Sequence, residues 1–264
     1  MAIIKELNPG QTLKVYENGV AAEFVVAQHN YEKELNGKGK TLLMRTTLLK
    51  DAVKWGNNKE NVSWKNEPTL RNWLEKTYAA RLSEDTLKAI VPVTIRYDYG
   101  SSKSGTLEEQ RFFVPRVCDF SGDTALFTGI RRFFEDRLSG GRADITEGSN
   151  IYELWKYVFS TRTTKNYEDG DNTYGEVLSL RVQRGRGAAP GDPGHINTYW
   201  GTTTGQWGVS SSGILVCFCV DENATVDDDG CLTGNPAPEI QSNYFGMNGV
   251  FGRWGKFGLP YRVY

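Results

Sequence analysis

Thr12-Leu-Lys-Val-Tyr16 and Glu23-Phe-Val-Val-Ala-Gln28 flank the dipeptide Asn18-Gly19 near the start of the chain. Both runs are rich in β-branched and aromatic residues, and an Asn-Gly pair favours the left-handed backbone of a two-residue hairpin turn. The pattern predicts an opening β-hairpin. A third apolar run, Thr41-Leu-Leu-Met-Arg45, follows a Gly-rich turn and is expected to pair with the hairpin as a meander.

The next segment changes from strand to helix spacing. Its apolar positions are Leu70, Trp73, Leu74 and Tyr78. They recur three and four residues apart, which predicts a helix with one apolar face. Ser83 is a typical N-cap and begins a second short helix, which Pro92 closes. A further helix is predicted over residues 128–138, ended by the pair Gly140-Gly141.

Strand patterns account for most of the remaining apolar runs. The predicted strands cover residues 108–115, 177–182, 205–209 and 213–220. The last of them, Gly213-Ile-Leu-Val-Cys-Phe-Cys-Val220, is apolar at nearly every position and is expected to be the most buried strand. The Gly- and Pro-rich stretch 187–194 is expected to be a loop, because proline lacks a donor and glycine has too much freedom to lose.

These patterns together predict an α+β fold, mainly antiparallel β with a few short helices and long irregular loops. The 264 residues are enough for one large domain with a substantial core. We expect a single α+β domain over residues 1–232, opening with the β-hairpin. A Gly/aromatic C-terminal segment, residues 233–264, follows it.

Charge and hydropathy exclude several partners. The formal net charge is −1 and the pI is about 6.2, so no global field attracts nucleic acid or an anionic membrane. No apolar run approaches the length of a membrane span. Residues 1–10 lack the apolar core and cleavage site of a signal peptide, so the chain is expected to be made in the cytosol.

The cysteine and histidine content gives little support to metal or redox chemistry. Cys217 and Cys219 are two residues apart and face the same way on a strand, which suits buried thiols. Burial is the prediction for the thiols, Cys118 and Cys231 included, and the alternatives are a bridge that involves Cys231 or a metal site. His29 and His195 are the only histidines, too few for an imidazole-rich centre. No cofactor is expected.

The acidic residues do not form a recognisable catalytic pattern. Residues 221–230 are rich in oxygen ligands but do not match the EF-hand loop, so a solvated turn is preferred to a calcium site. Carboxylate pairs such as Glu108 and Glu109 are adjacent in sequence, and nothing places them across a cleft as glycoside hydrolysis requires. The expectation is therefore a protein that is not an enzyme.

Aromatic residues dominate residues 165–210, which are predicted to be loops rich in Asn, Thr, Ser and Gly. Tyrosine and tryptophan provide large rigid contact areas, and their rings stack on the apolar faces of sugars. The candidate ligand-binding residues are Tyr174, Tyr199, Trp200, Trp207 and Arg184. The alternative is that these rings pack within the core or the loops, which applies most to Trp155 and Trp207.

The C-terminal segment alternates glycine with large apolar groups from Gly246 onward. Such a chain does not build a core of its own and is too apolar for a solvated tail, so it should lie in a groove. The candidate partner-binding residues are Phe245, Phe251, Trp254, Phe257 and Tyr261. Contact with another protein chain is the first expectation, and docking on the chain's own domain is the alternative.

The order of short motifs along the chain supports a family resemblance. The motifs are Leu42-Leu43-Met44-Arg45, Trp55, Asn61, Thr69-Leu70-Arg71-Asn72-Trp73-Leu74, Val93-Thr94-Ile95-Arg96-Tyr97, Phe112-Phe113-Val114-Pro115, Phe133-Phe134, Arg142-Ala143, Ser160-Thr161-Arg162-Thr163 and Ser211-Ser212-Gly213-Ile214-Leu215-Val216-Cys217-Phe218. In this order they resemble an uncharacterised family of domains from phage and prophage tail regions and the surfaces of Gram-positive bacteria. Leu215 and Val216 depart from the family, which has Arg-Pro there.

The later motifs are also similar to those of C-type-lectin-like and formylglycine-generating-enzyme-like proteins. The catalytic cysteines and metal ligands of the enzyme branch have no match here, so that similarity implies a scaffold only. The resemblance implies a non-enzymatic virion protein that binds a host-surface glycan or protein through its aromatic loops. Its other partners would be further virion proteins or copies of itself, with a trimer expected by analogy. The alternatives are a purely structural baseplate or decoration protein and an enzyme that acts on cell-wall glycans.

Overall fold

The computed structural model describes residues 1–49, 51, 53–56, 63–99, 103–119, 155–169, 172–184, 198–205 and 214–234. Three predictions lie outside these residues: the helix over 128–138, the loop over 187–194 and the groove contact of the C-terminal segment. Among the described residues, no helix is long and apolar enough to cross a bilayer.

The described chain is built mainly from strands. In chain order they are β1 (Ala2–Ile3), β2 (Thr12–Glu17), β3 (Val20–His29), β4 (Lys40–Arg45), β5 (Ile90–Val91), β6 (Val93–Tyr99), β7 (Lys103–Gln110), β8 (Phe112–Phe113), β9 (Trp155–Asp169), β10 (Asn172–Arg184), β11 (Thr198–Gly205), β12 (Cys217–Asp221) and β13 (Thr225–Val226). The α-helices are α1 (Lys33–Asn36), α2 (Thr69–Trp73) and α3 (Glu84–Ala89). This composition confirms the α+β class with short helices.

The opening hairpin forms as the sequence predicts. β2 and β3 pair antiparallel from Thr12 opposite Val25 to Glu17 opposite Val20. Asn18 and Gly19 connect them with φ of 51° and 78°, the left-handed pair that matches the twist of the flanking strands. β4 pairs with β3, which completes the predicted meander.

The core lies around β12, the strand at the centre of the first sheet. Its strand order is β2-β3-β4-β12-β5, and β8 also pairs with β12. Cys217 to Val220 are all buried, which confirms that this segment is among the most buried in the protein. The ring centroid of Phe218 lies 5.1 Å from that of Phe24 and 6.0 Å from that of Phe112. Strands β3, β8 and β12 thus contribute to one aromatic cluster.

A short helical region covers this core. α2 continues into a π-helical turn, Leu74–Tyr78, and a 3₁₀ turn, Ala79–Arg81. Leu70, Leu74 and Tyr78 are buried and Trp73 is partly buried, as the helical spacing predicts. Ser83 caps α3 by accepting a hydrogen bond from the Thr86 amide at 3.2 Å. The helix ends at Ala89 and not at Pro92, because Ile90–Val91 join the sheet.

The second sheet corrects the prediction for residues 165–210. Its order is β11-β10-β9-β6-β7, and the long β9 and β10 pair antiparallel along most of their length. Strands therefore cover much of a region predicted as irregular loop. The expected strand over 177–182 lies inside β10, whereas only Gly205 of the expected strand over 205–209 lies in a described strand. Glycine, asparagine and charged residues lower the strand signal of these segments, and cross-strand pairing overrides it.

β6 and β9 are neighbours in the second sheet. These strands pair parallel through Asp98 and Thr163, and the Trp55 indole donates a hydrogen bond to the Thr161 carbonyl at 3.0 Å. Trp55 is fully buried, so this bond anchors β9 to the main core. Thr161, Thr163 and Thr164 are buried at this junction.

The cysteines follow the burial prediction with one exception. Cys217, Cys219 and Cys231 are buried, which confirms the prediction for them. Cys118 is exposed, so that part of the prediction is wrong. Cys118 lies beyond β8, in a segment that has left the sheet and turns along the surface. None of the four cysteines, which all lie in the described part of the chain, forms a disulfide.

Candidate functional site

A cleft of about 320 Å³ opens where the end of β3 meets β6 and the segment after β8. We call it the β3–α1 cleft. Its lining residues are Gln28, Asn30, Tyr31, Glu32, Lys33, Glu34, Arg96, Arg116 and Asp119. The volume lies at the small end of the range for small-molecule sites, which is about 300–1,000 Å³.

The backbone at the end of β3 is irregular in a way that shapes the cleft. A bulge shifts the β3–β4 register between Val26 and Gln28. Bulges redirect the side chains that follow them. Asn30 and Glu32 then adopt left-handed φ values of 53° and 47°. Such strain costs about 1–3 kcal/mol at a non-glycine residue and persists only where surrounding contacts hold it.

Tyr31 provides that contact. The residue is buried between the two left-handed positions, and its ring stacks on Phe113 with centroids 5.7 Å apart. The ring fixes the segment to the core. Glu32, which follows directly, lines the cleft with a side chain that is only 5% exposed.

Asn36 docks α1 against β6. Its amide nitrogen donates to the Thr94 carbonyl at 2.9 Å, and its amide oxygen accepts from the Thr94 amide at 2.7 Å. The side chain thus satisfies a strand backbone as a neighbouring strand would. This paired contact holds the four-residue helix, too short to be stable alone, at the rim of the cleft.

Glu32 is the central acid of the cleft. Its Oε2 accepts a hydrogen bond from Arg96 Nη1 at 2.7 Å, and Arg96 Nη2 donates to Glu34 Oε2 at 2.9 Å. Its Oε1 is buried and has no hydrogen-bond partner among the described residues. Arg116 Nη2 lies 3.5 Å from Oε1, an ionic contact without hydrogen-bond geometry.

Arg116 is the central positively charged residue of the cleft. Its Nε donates to Asp119 Oδ1 at 3.2 Å, and its backbone amide donates to Asp119 Oδ2 at 2.7 Å. Asp98 Oδ1 lies 3.8 Å from its Nη1. Burial would lower the pKa of Arg116, but the carboxylates of Asp119 and Asp98 outweigh it and raise that pKa above its ordinary value. The guanidinium therefore stays charged.

The cleft is hydrogen-bonded to β9 at the point where that strand pairs with β6. Thr163 Oγ1 donates to Asp98 Oδ2 at 3.2 Å and accepts from the Val117 amide at 3.0 Å. Cys118 Sγ also contacts Asp98 Oδ2, at 3.6 Å. A ligand that contacts Arg116 or Asp98 would thus act on a residue that is hydrogen-bonded to β9 or lies next to one that is.

The cleft contains buried hydrogen-bond acceptors that receive no hydrogen bond from a described residue. Gln28 Oε1, like Glu32 Oε1, is buried and has no hydrogen-bond partner among the described residues. Buried acceptors without donors are uncommon because each costs stability. Among the described residues no group of three or more His, Cys, Asp or Glu is arranged to hold a metal ion. The arrangement suits a ligand that brings hydrogen-bond donors.

The ligand-binding residues predicted from sequence lie elsewhere. Tyr174 and Arg184 are on β10, and Tyr199 and Trp200 are on β11, so they belong to strands and not to loops. Tyr199 pairs with Gln183 and Trp200 with Val182, which places both beside Arg184 along the ladder. The strand register places Tyr174 opposite Tyr167, towards the other end of β10.

The other predicted residues lie outside the described part of the chain. They are Trp207 and the partner-binding set Phe245, Phe251, Trp254, Phe257 and Tyr261. The prediction of a solvated turn at 221–230 has a described counterpart: Asp227 Oδ1 accepts the Cys231 amide at 2.8 Å, which closes the turn locally.

Sequence reasoning missed the β3–α1 cleft. Glu32, Lys33 and Glu34 look like an ordinary solvated turn between two apolar runs. Asn30 was the one local signal, since asparagine is enriched at left-handed positions. Arg116 and Asp119 are far away in sequence, and no local pattern connects them with Glu32.

Comparison with known proteins gives one family match. The model of a family described as a domain of unknown function, DUF6273, matches residues 38–115. No curated protein and no solved structure matches the chain. The matched range runs from β4 to β8 and includes Arg96, while Glu32 and Arg116 lie just outside it. Over this range, which is less than half of its length, the chain is similar to that family of unknown function.

Proposed function

We propose that the protein is a non-enzymatic component of a phage or prophage tail that binds a host-surface glycan or protein. The observation that carries the binding role is the β3–α1 cleft, where Glu32 is buried in a strained conformation with one oxygen unpaired. A left-handed non-glycine residue at a cleft is typical of functional sites. The virion location rests on the order of sequence motifs.

A second contact surface on β10 and β11 supports the same role. Arg184 pairs with Thr198, which is two residues from Trp200, so the register places Arg184 and Trp200 at positions on one face of the sheet and Tyr199 at a position on the other. Arg184 and Trp200 are therefore the candidates for this surface. A C-type-lectin-like scaffold is part of this proposal, supported by antiparallel sheets that are joined by short helices and long connections.

The proposal is tested by co-sedimentation with Gram-positive peptidoglycan sacculi that retain their wall polymers. We expect the full-length protein to pellet with the sacculi, and Glu32→Ala and Trp200→Ala to pellet less. Tyr16→Ala is the matched control, because Tyr16 is an exposed aromatic residue on the hairpin, away from both surfaces. A protein that stays in the supernatant, or a Tyr16→Ala variant that loses as much binding, would refute the proposal.

A purely structural virion protein is the second candidate. β9 and β10 span 15 and 13 residues, whereas strands are usually about five or six residues long. Long ribbons of this kind suit assembly, and the C-terminal aromatics would add a subunit contact. Light scattering after size exclusion should then show an oligomer, a trimer by analogy, that a Trp254→Ala/Phe257→Ala variant converts to a monomer. A wild-type monomer would refute this candidate.

A further inference from the structure

We propose that the β3–α1 cleft binds a primary ammonium group, carried on a body about the size of a monosaccharide. This inference rests on the proposed binding function and specifies the chemistry of its ligand. The argument depends on which atoms of the cleft are already paired and which are not.

The unpaired atoms are acceptors. Glu32 Oε1 and Gln28 Oε1 both line the cleft, both are buried, and neither receives a hydrogen bond from a described residue. A ligand must therefore bring N–H or O–H donors. An ammonium brings three donors and a positive charge, and hydrogen bonds between ionised groups are the strongest of this kind.

The arginines of the cleft are already occupied, which disfavours an anion. Arg96 donates to Glu32 and Glu34, and Arg116 donates to Asp119. The cleft lining balances three carboxylates, Glu32, Glu34 and Asp119, against three cations, Lys33, Arg96 and Arg116. Because both cleft arginines already contact carboxylates, the lining leaves no arginine without an acidic partner for an anion to bind.

A metal ion fits less well than an ammonium. Divalent cations need several oxygen ligands at close range. The carboxylates here are separated by guanidinium groups, and no described cluster of ligands has metal geometry. An ammonium needs no such ligand set, because it can donate hydrogen bonds to single acceptors such as Glu32 Oε1 and Gln28 Oε1. The cavity of about 320 Å³ leaves room for a small hydroxylated body, as in an amino sugar.

The experiment is isothermal titration of the full-length protein with glucosamine, N-acetylglucosamine and glucose. The three sugars share one ring and differ at carbon 2, where only glucosamine carries an ammonium. We expect glucosamine to bind at least about tenfold more tightly than the other two, since a charge-assisted hydrogen bond accounts for a factor of this order. Equal affinity for the three sugars, or no measurable binding of glucosamine, would overturn the inference.

Two variants locate the binding. Glu32→Gln keeps the shape of the side chain but removes its charge, so the preference for glucosamine should disappear. Gln28→Leu removes the second acceptor and should weaken glucosamine binding about tenfold even if Glu32→Gln folds poorly. Glu84→Gln, at an exposed acid of α3, is the control and should bind as the wild type does. Unchanged selectivity in both cleft variants would place the site elsewhere and overturn the inference.

The outcomes separate this inference from the proposed function. Sacculus binding that depends on Trp200, combined with no glucosamine binding, would leave the binding function intact and refute the ammonium site. Glucosamine binding that depends on Glu32, without any binding to sacculi, would support the ammonium site and refute the host-surface role.

Discussion

Two buried arginine–carboxylate clusters among the described residues are similar in composition and different in character. In the first, Glu17 lies between Arg45 and Tyr78. Its Oε1 accepts from Arg45 Nε at 3.0 Å and from the Tyr78 hydroxyl at 2.7 Å, and its Oε2 accepts from Arg45 Nη2 at 3.1 Å. The second Arg45 amino group donates to Thr47. Every charged oxygen of Glu17 has a donor.

Glu32 in the β3–α1 cleft differs in two respects. Its Oε1 has no hydrogen-bond partner among the described residues, and its backbone is left-handed, whereas Glu17 sits at the end of a regular strand. Burial and charge alone therefore do not mark a functional site. An acceptor without a hydrogen bond on a strained backbone is the basis of our proposal for the cleft, because both features cost stability.

The largest effect is expected at the paired cluster. Glu17→Gln should lower the free energy of unfolding by about 3 kcal/mol, the lower end of the cost of breaking a buried ion pair. The amide cannot accept from Arg45 and Tyr78 with both of its terminal atoms. Urea unfolding followed by tryptophan fluorescence measures the loss. Glu84→Gln is the exposed control and should unfold at the wild-type midpoint. A Glu17→Gln variant that unfolds at the wild-type urea midpoint would show that the Glu17 cluster does not stabilise the fold, and the difference between the two clusters would be refuted.

Tyr78→Phe tests the same cluster by removing its neutral hydrogen-bond donor, the Tyr78 hydroxyl. Loss of a hydrogen bond to a charged acceptor should cost about 2 kcal/mol at neutral pH. Burial, together with the nearby Glu17 carboxylate, raises the pKa of Tyr78 well above its ordinary value. Tyr78 ionises near pH 10 in the unfolded chain and only at higher pH in the folded chain. The free energy of unfolding of the wild type therefore falls as the pH rises past about 10. The gap between wild type and Tyr78→Phe should therefore narrow in alkali. A gap that widens above about pH 10 would contradict this sign.

A smaller effect is expected in the cleft. Glu32→Gln should lower the free energy of unfolding by about 1–2 kcal/mol, less than Glu17→Gln, because the ionic contacts with Arg96 and Arg116 are lost while the amide oxygen can still accept from Arg96. The same substitution should thus destabilise the fold less at Glu32 than at Glu17. Parallel urea titrations of the two variants make the comparison. Equal losses at both positions would show that the cleft acid is structural.

The sequence predicts local elements of this fold well. The Asn18-Gly19 turn, the Ser83 cap and the apolar face of Leu70, Leu74 and Tyr78 each depend on neighbours a few residues away. Apart from residues 177–182 and Gly205, the β9–β10–β11 sheet was predicted as loop, because glycine, asparagine and charged residues interrupt the apolar alternation of its segments and cross-strand pairing overrides that local signal.

The β3–α1 cleft was not predictable for a related reason. Its chemistry joins Glu32, Arg96 and Arg116 from separate segments, and Thr163 reaches Asp98 from still further along the chain. No window of sequence contains that arrangement. The strain at Glu32 is equally hidden, since glutamate has no preference for left-handed backbone and contacts distant in sequence, Tyr31 with Phe113 and Glu32 with Arg96, hold it there.

The smallest effect is expected at a third arginine–carboxylate pair, which is partly exposed. Arg81 donates to both oxygens of Asp51 at 2.9 and 2.6 Å, and this hydrogen bonding lowers the pKa of Asp51. Asp51→Asn should cost less than about 1 kcal/mol at neutral pH, because solvent screens the pair. The pair contributes above the ordinary carboxyl pKa, and its contribution is lost as pH falls through the lowered value. Thermal unfolding of both proteins from pH 7 into acid should show the gap closing. A difference between the wild type and Asp51→Asn that persists in strong acid would contradict the role of the ion pair. A loss larger than that of Glu17→Gln would mean that burial does not determine the order of the three effects.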